Sequence, residues 1–322
     1  MVVMFDVITI GAAVQDVFLK GKAFQPHTEE DGDLTEEFPL GAKIEVDGVT
    51  FSTGGGASNA AVTFARHGLS TALISKLGHD PAAEAVQKAM AEEGIDMRHV
   101  AFDDQLSSDY STILLSPSGE RTILIYRGAS HNMQWADYDL SAVEAKWAYV
   151  TSLGGDFEFL NAFADWANSK GIKIAMDPGS KELANKVAMM ELIKKLTVVK
   201  ANRQELGSLV GLEEPEAIIR ALSETVEYAI VTDGPNGSWA TDGQQIVKAG
   251  MYEDTPTPDR TGAGDAFGSG FVAKIIEEAG LTEALTFGSA NSTAVVQQIG
   301  AKTGILRKDA QLHDMPLEVS QF

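Results

Sequence analysis

A chain of 322 residues with 44% hydrophobic side chains holds enough apolar material for one sizeable core. Its 46 acidic residues outnumber 25 basic ones, a formal charge of −21 that argues against nucleic acid or an anionic membrane surface as partner. Cysteine is absent, which excludes disulfide frameworks, thiolate metal sites and thiol nucleophiles. With no leader-like N-terminus and no apolar run of membrane length, the expectation is a soluble cytoplasmic protein.

Residues 2–10 are an apolar, β-branched run ending at Gly11 and predict a buried first strand. Asp16 follows just past that strand's carboxyl end, where α/β sheets bind ligands. Residues 17–53 hold short strand-like runs at 17–19, 43–46 and 49–52 around an acidic stretch at 27–37, with no helical period. Residues 110–115 and 121–126 flank Ser116-Pro117-Ser118-Gly119-Glu120, a hairpin signal. These two β regions, about 17–53 and 108–128, are expected to pair into a small sheet outside the main fold, forming a lid. Between them Gly54-Gly55-Gly56-Ala57-Ser58-Asn59 leads into an Ala/Val/Phe helix that stops at Gly68. Three glycines set bare backbone where a ligand can lie close, and Asn59 can both donate and accept hydrogen bonds to a polyhydroxylated molecule. A strand at 71–77 precedes a helix capped by Asp80-Pro81, with Gly94 past its end.

From about residue 146 strands and helices alternate. Strand 147–152, helix 156–169, strand 172–176, helix 181–194 and strand 197–200 lead to Asn202-Arg203-Gln204-Glu205, which opens a helix. Helix 215–224 and strand 228–232 follow, then the turn cluster Asp233-Gly234-Pro235-Asn236-Gly237. Runs 238–241 and 245–248 pair around Asp242-Gly243, a type I′ hairpin signal. Helices 266–279 and 282–298 come last, and the polar tail after Leu306 is expected to wrap the surface. This alternation predicts an α/β fold with a mostly parallel sheet covered on both faces.

Asp259-Arg260-Thr261-Gly262-Ala263-Gly264-Asp265-Ala266-Phe267 carries the chemistry. A helix start leaves backbone N–H groups unpaired and partly positive, and glycine lets an anion approach them. Asp265 then stands at the lip of an anion cradle, the arrangement that deprotonates a hydroxyl attacking a phosphate.

Taken in order, these motifs resemble the ribokinase-like (PfkB) family of carbohydrate and nucleoside kinases, from Asp16 to Gly304. The resemblance implies a three-layer α/β/α fold with a small β lid through which two copies form a homodimer. It implies ATP and Mg²⁺, with K⁺ as a further ion, and a small-molecule sugar as substrate. Asp265 would be the catalytic base and Gly262, Ala263 and Gly264 the anion hole. Asp16, Gly54, Gly55, Gly56 and Asn59 would bind the acceptor, joined by Arg127 at the end of the second lid run. Asn202 and Glu205 form the family's Asn-x-x-Glu motif, where Glu205 would meet Mg²⁺ through water. Thr232, Gly234, Gly237 and Asn291 would lie along the nucleotide, and Asp259, Thr261, Gly300 and Gly304 around the monovalent cation. The chain departs from the pattern at Arg260, at Ala83 and at Asp177-Pro178-Gly179, which lacks the Asn and Arg of some sugar-acid kinases.

Other classes compete, a dehydrogenase and a non-catalytic regulator among them, and a P-loop kinase is excluded. A dinucleotide-binding dehydrogenase would need a third glycine where Phe267 stands and a glycine motif after the first strand. A P-loop kinase would need a Gly-x-x-x-x-Gly-Lys-Ser/Thr string, which does not occur. A non-catalytic sugar- or nucleotide-binding regulator on the same fold stays open, as does a nucleoside acceptor, for which Phe18, Phe24, Phe38 and Tyr110 could stack on a base.

Overall fold

The computed structural model of the chain describes residues 4–29, 32–117 and 120–322. Strand β1 (Met4–Ile10) is buried for most of its length, and residues 2 and 3 of the predicted strand lie outside the described residues. Three residues later the chain is already in β2 (Val14–Lys20), so Asp16 lies on a strand and not in the loop that its sequence context suggests. The acidic stretch, of which 30 and 31 fall outside the described residues, forms only a two-stranded ribbon of β3 (His27–Thr28) and β4 (Leu34–Thr35). The run at 43–46 forms no strand; the next is β5 (Gly48–Gly54). Then come α1 (Gly56–Arg66), β6 (Thr71–Leu77) and α2 (Pro81–Glu92), whose N-cap Asp80 accepts from Ala83 N at 2.9 Å. Strand β7 (Asp96–Phe102) has no alternating pattern to announce it, being half-buried on both faces at the sheet edge. β8 (Asp109–Leu115) and β9 (Arg121–Tyr126) form the expected hairpin; turn residues 118 and 119 are outside the described set.

The second half runs β10 (Glu144–Thr151), α3 (Phe157–Ser169), β11 (Lys173–Asp177), α4 (Ser180–Ala184) and α5 (Lys186–Ile193). The single helix expected at 181–194 breaks at Asn185, whose side chain accepts from Ala188 N and so starts a new helix. β12 (Val198–Asn202), α6 (Arg203–Val210), α7 (Pro215–Ser223), β13 (Tyr228–Thr232), β14 (Ser238–Thr241), β15 (Gln245–Ala249), α8 (Ala263–Ile276) and α9 (Leu281–Val296) follow. The tail does more than wrap the surface. Its residues form β16 (Leu317–Gln321), antiparallel to β15. No helix among the described residues is long and apolar enough to cross a membrane.

One sheet has the order β16-β15-β14-β13-β12-β11-β10-β1-β6-β7, parallel from β13 to β7 and antiparallel at the β14–β16 end. Strand alternation sorts its side chains to two faces. Ile8, Ile10, Val150 and Met176 pack with Phe159, Leu192, Leu206 and Ile218 of α3, α5, α6 and α7. Val7, Tyr149, Ala175 and Ile230 pack with Phe64, Phe271 and Leu285 of α1, α8 and α9. Each large side chain buried this way contributes about 1.5–3 kcal/mol, so both helical layers are tied to the sheet. This is the three-layer α/β/α fold. A separate sheet has the order β5-β2-β8-β9, with Asp16 opposite Ser52 on one side and Ser111 on the other. The carboxyl ends of the parallel strands bring Thr151 beside Asp177 and Asn202 beside Thr232, on the edge where α/β sheets hold ligands.

Candidate active site

The phosphate-side element is the start of α8. Gly262 takes a left-handed φ of 79° as N-cap, and the helix begins at Ala263, three residues earlier than predicted. Asp265 therefore stands in the first helical turn. Ala266 N–H makes the first full helical bond, to Gly262 O at 2.9 Å. The N–H groups ahead of it are the orphan donors of the helix start, and that of Ala263 makes only a long contact of 3.3 Å to Arg260 O. With glycine at 262 and 264, this helix start can offer its free N–H groups to an anion. Arg260 itself is exposed.

Asp265 is joined directly to the glycine motif of the first half. Asn59 Nδ2 donates to Asp265 Oδ2 at 2.7 Å. A carboxylate only accepts, so this bond sets which end of the Asn59 amide faces it. The other end, Oδ1, is buried and has no partner. Such an orphan acceptor is costly unless something donates to it, and an acceptor hydroxyl can. Gly54 closes in from β5: a Cβ there would land on Asp16 Oδ2, so only glycine allows strand and carboxylate to lie this close.

Behind Asp265 lies a buried group that sequence reasoning missed. Lys200 Nζ donates to Asp177 Oδ2 at 2.8 Å and to Gly264 O at 3.1 Å. Burial pushes the Asp177 carboxyl up to about 6; Asp265 and Glu205 add to the rise, and Lys200 opposes it. The Tyr149 hydroxyl is buried here without a partner, with Asp177 and Asp265 near enough to raise its pKa beyond what burial does alone. The available signal was positional, since Asp177 ends β11 and Lys200 lies in β12 two residues before its last residue. Glu182 is fully buried and holds the adjoining rim: its carboxylate accepts from Leu153 N, Gly155 N, Gly179 N and Ser152 Oγ.

On the acceptor side, Asp16 is pushed up to about 6 by burial, with Asp259 and Asp265 adding and Lys302 and Ser111 opposing. Burial lowers the Lys302 ammonium to about 7 against the pull of Asp16 and Asp265. Lys302 Nζ donates to Thr53 Oγ1 at 2.9 Å. Arg127 Nη1 lies 2.6 Å from His131 Nε2, and His131 Nδ1 lies 2.6 Å from Asp109 Oδ2. Because a guanidinium only donates, His131 accepts at Nε2 and donates from Nδ1. Arg127 is therefore held at the foot of the β8–β9 hairpin. Of the aromatic residues weighed for base stacking, Phe18 and Phe24 are buried, and Phe38 packs edge-on against Phe24. Tyr110 pairs with Gln15 and so lies on the sheet face opposite Asp16.

The nucleotide-side motifs converge elsewhere. A cavity of about 260 Å³ is lined by Thr232, Gly234 and Gly237 on one wall and Ala263, Gly264 and Ser292 on the other. Asn202 and Glu205 form a reciprocal capping box: Asn202 Oδ1 accepts from Glu205 N at 2.9 Å and Glu205 Oε2 from Asn202 N at 3.2 Å. Asn291 does not reach the cavity. It is fully buried, donating to Ala266 O and accepting from Leu306 N, and so braces α8 against the loop after α9. Asp259 Oδ1 accepts from Thr261 N and Thr261 Oγ1, and its Oδ2 accepts from Gly300 N. The Arg121 guanidinium stands 4.0 Å from the same carboxylate, and a Cβ on Gly304 would strike Ala294 O. Both oxygens of the Asp259 carboxylate thus already accept hydrogen bonds, with the Arg121 guanidinium at the edge of ion-pair range.

Comparison with known proteins gives a consistent result. The family model described as pfkB family carbohydrate kinase matches residues 29–308. A ribokinase of Haemophilus influenzae is 27% identical over 264 residues, 78% of this chain and 83% of that protein. The solved structure of Arabidopsis thaliana ribokinase complexed with ribose and ATP superposes with a TM-score of 0.76 at 20% identity, covering 95% of this chain and 97% of that one. The adenosine kinase of Sinorhizobium meliloti gives 0.77 at 24%, covering 92% and 95%. At these identities the structural likeness speaks for the fold.

Proposed function

Since the chain belongs to the pfkB family of carbohydrate kinases, we propose that it transfers the γ-phosphoryl group of ATP to a hydroxymethyl group of a sugar. The observation that carries this reading is the 2.7 Å bond from Asn59 to Asp265, which joins the acceptor-side turn to the base at the helix start. Asp265 takes the proton of the attacking hydroxyl as its oxygen bonds to the γ-phosphorus and the bond to the β-phosphate oxygen breaks, releasing ADP. Backbone N–H groups of Gly262, Ala263 and Gly264 meet the charge on the transferring group. Asp16 and Asn59 Oδ1 hold acceptor hydroxyls, with Gly54, Gly55 and Gly56 letting the sugar lie against bare backbone. Arg127 borders the acceptor from the lid foot.

Thr232, Gly234 and Gly237 line the donor groove. Among the described residues no three His, Asp or Glu converge on one point, and Glu205 folds back on Asn202. This suits Mg²⁺ carried by the nucleotide phosphates and reached by Glu205 through water. When bound, the ion neutralises phosphate charge, which matters for a protein of formal charge −21. The lid aromatics' burial and facing favour a sugar over a nucleoside.

The test is ATP consumption over a panel of pentoses, hexoses, sugar acids and nucleosides, with Asp265→Asn in parallel. Removing a positioned base is expected to cut kcat by about 10²–10⁴-fold. A variant that turns over its acceptor like the wild type would show that another group takes the proton. A wild type that binds sugar but phosphorylates none is a regulator instead.

A further inference from the structure

We propose that Lys302 is a positioning residue for the acceptor, latching the strand that enters the glycine turn to the loop beside α8. The proposal rests on the kinase reading above. Lys302 is 9% exposed in a chain whose other lysines are mostly at the surface. A buried ammonium is retained only where partners hold it. Its hydrogen-bond partner is Thr53 Oγ1, one residue before Gly54. Through space, Asp16 of β2, Asp265 of α8 and Glu93 after α2 favour its charge, and Arg66 of α1 opposes it.

These contacts close a ring. Thr53 is followed by the glycine turn and then by α1. At the far end of α1, Arg66 Nη1 donates to Lys302 O at 3.2 Å and to Ile305 O at 2.7 Å, while Glu93 takes the other side of the guanidinium. The Lys302 side chain then returns to Thr53. The backbone of Lys302 is thus held by Arg66 whatever the side chain does, and the side chain ties β5 to the loop. Without it, Thr53 and the turn would lose their anchor. The effect falls on the acceptor side, since Lys302 does not line the donor cavity.

Lys302→Met keeps the side-chain length and removes the charge and the donor. Its acceptor KM is expected to rise about tenfold or more, the scale of a lost charged hydrogen bond, with kcat and the ATP KM within about twofold of wild type. Lys302→Arg restores a donor and a charge, and the open cleft of about 500 Å³ lined by Thr53, Arg66 and Lys302 leaves room for it. Acceptor KM in that variant should return to within about threefold of wild type. Thr53→Val cuts the latch from the other end and should raise the acceptor KM alone, which keeps the proposal testable if the methionine variant fails to fold. An unchanged acceptor KM in the folded variants, or acceptor and ATP KM rising together, overturns the proposal and leaves the kinase reading standing. A wild type that phosphorylates no acceptor takes both down.

Discussion

Asp177 shows how burial works against the charge of the site's own carboxylates. Burial comes first among the causes that bring it to about 6, followed in the same direction by Asp265 and Glu205. Its ordinary value is 3.8. A carboxyl raised on folding stabilises the folded state while protonated, so its contribution is full below about pH 4 and is lost as the pH climbs through about 6. A shift of roughly two units corresponds to about 3 kcal/mol. Asp177→Asn removes this titration. Relative to that variant, wild type should lose on the order of 2–3 kcal/mol of stability between about pH 4 and pH 7. Urea midpoints of both proteins at several pH values would show the gap; parallel curves would mean that Asp177 is not held in its buried, strained ionisation.

The start of α8 depends on one backbone conformation. At Gly262 φ is 79°, and a Cβ would come within 2.5 Å of Ala301 Cβ and 2.9 Å of its Cα. Gly262→Ala should therefore lower stability by about 1–2 kcal/mol from the left-handed backbone alone, more with the clash, and disturb the cradle enough to reduce kcat. Gly280→Ala is the matched control, because that glycine caps α9 at an ordinary φ of −69° with nothing within 4 Å of a Cβ. Thermal unfolding of both variants decides it, and equal losses would rule out the special role of Gly262. Elements with local causes were readable in advance: Asp80-Pro81 capping α2, Asp242-Gly243 turning β14 into β15, and Asn202-x-x-Glu205 opening α6. The misplacements have local causes too. Ala263 and Gly264 look like turn residues and hid a helix start; Asn185 looked like an interior polar residue and is a cap. What no pattern could reveal was distance in the chain. Lys302 meets Thr53 across 249 positions, Asn59 meets Asp265 across 206, and Asn291 turns inward to donate to Ala266 O.

At the scale of the whole molecule, the small sheet leaves apolar surface uncovered. Phe51 and Leu124 lie on the face opposite Asp16 and are 70% and 56% exposed, with Val49 and Tyr126 beside them. Such a patch is a candidate self-association surface. The expected outcome is a homodimer by light scattering at micromolar concentration, strengthened by salt because each copy carries −21. Phe51→Asp with Leu124→Asp should make it a monomer, and a wild type already monomeric would rule the interface out. Asp16 belongs to this same sheet, whereas Asp265 belongs to α8. A sugar that grips both is a bridge between two bodies of one chain. By linkage, anything that orders the small sheet against the large one would tighten such a sugar, and the sugar would repay it by the same factor. A neighbouring copy seated on the outer face would then act as an effector of acceptor affinity without touching the acceptor, and the dimer would in turn be held more firmly when the sugar is bound.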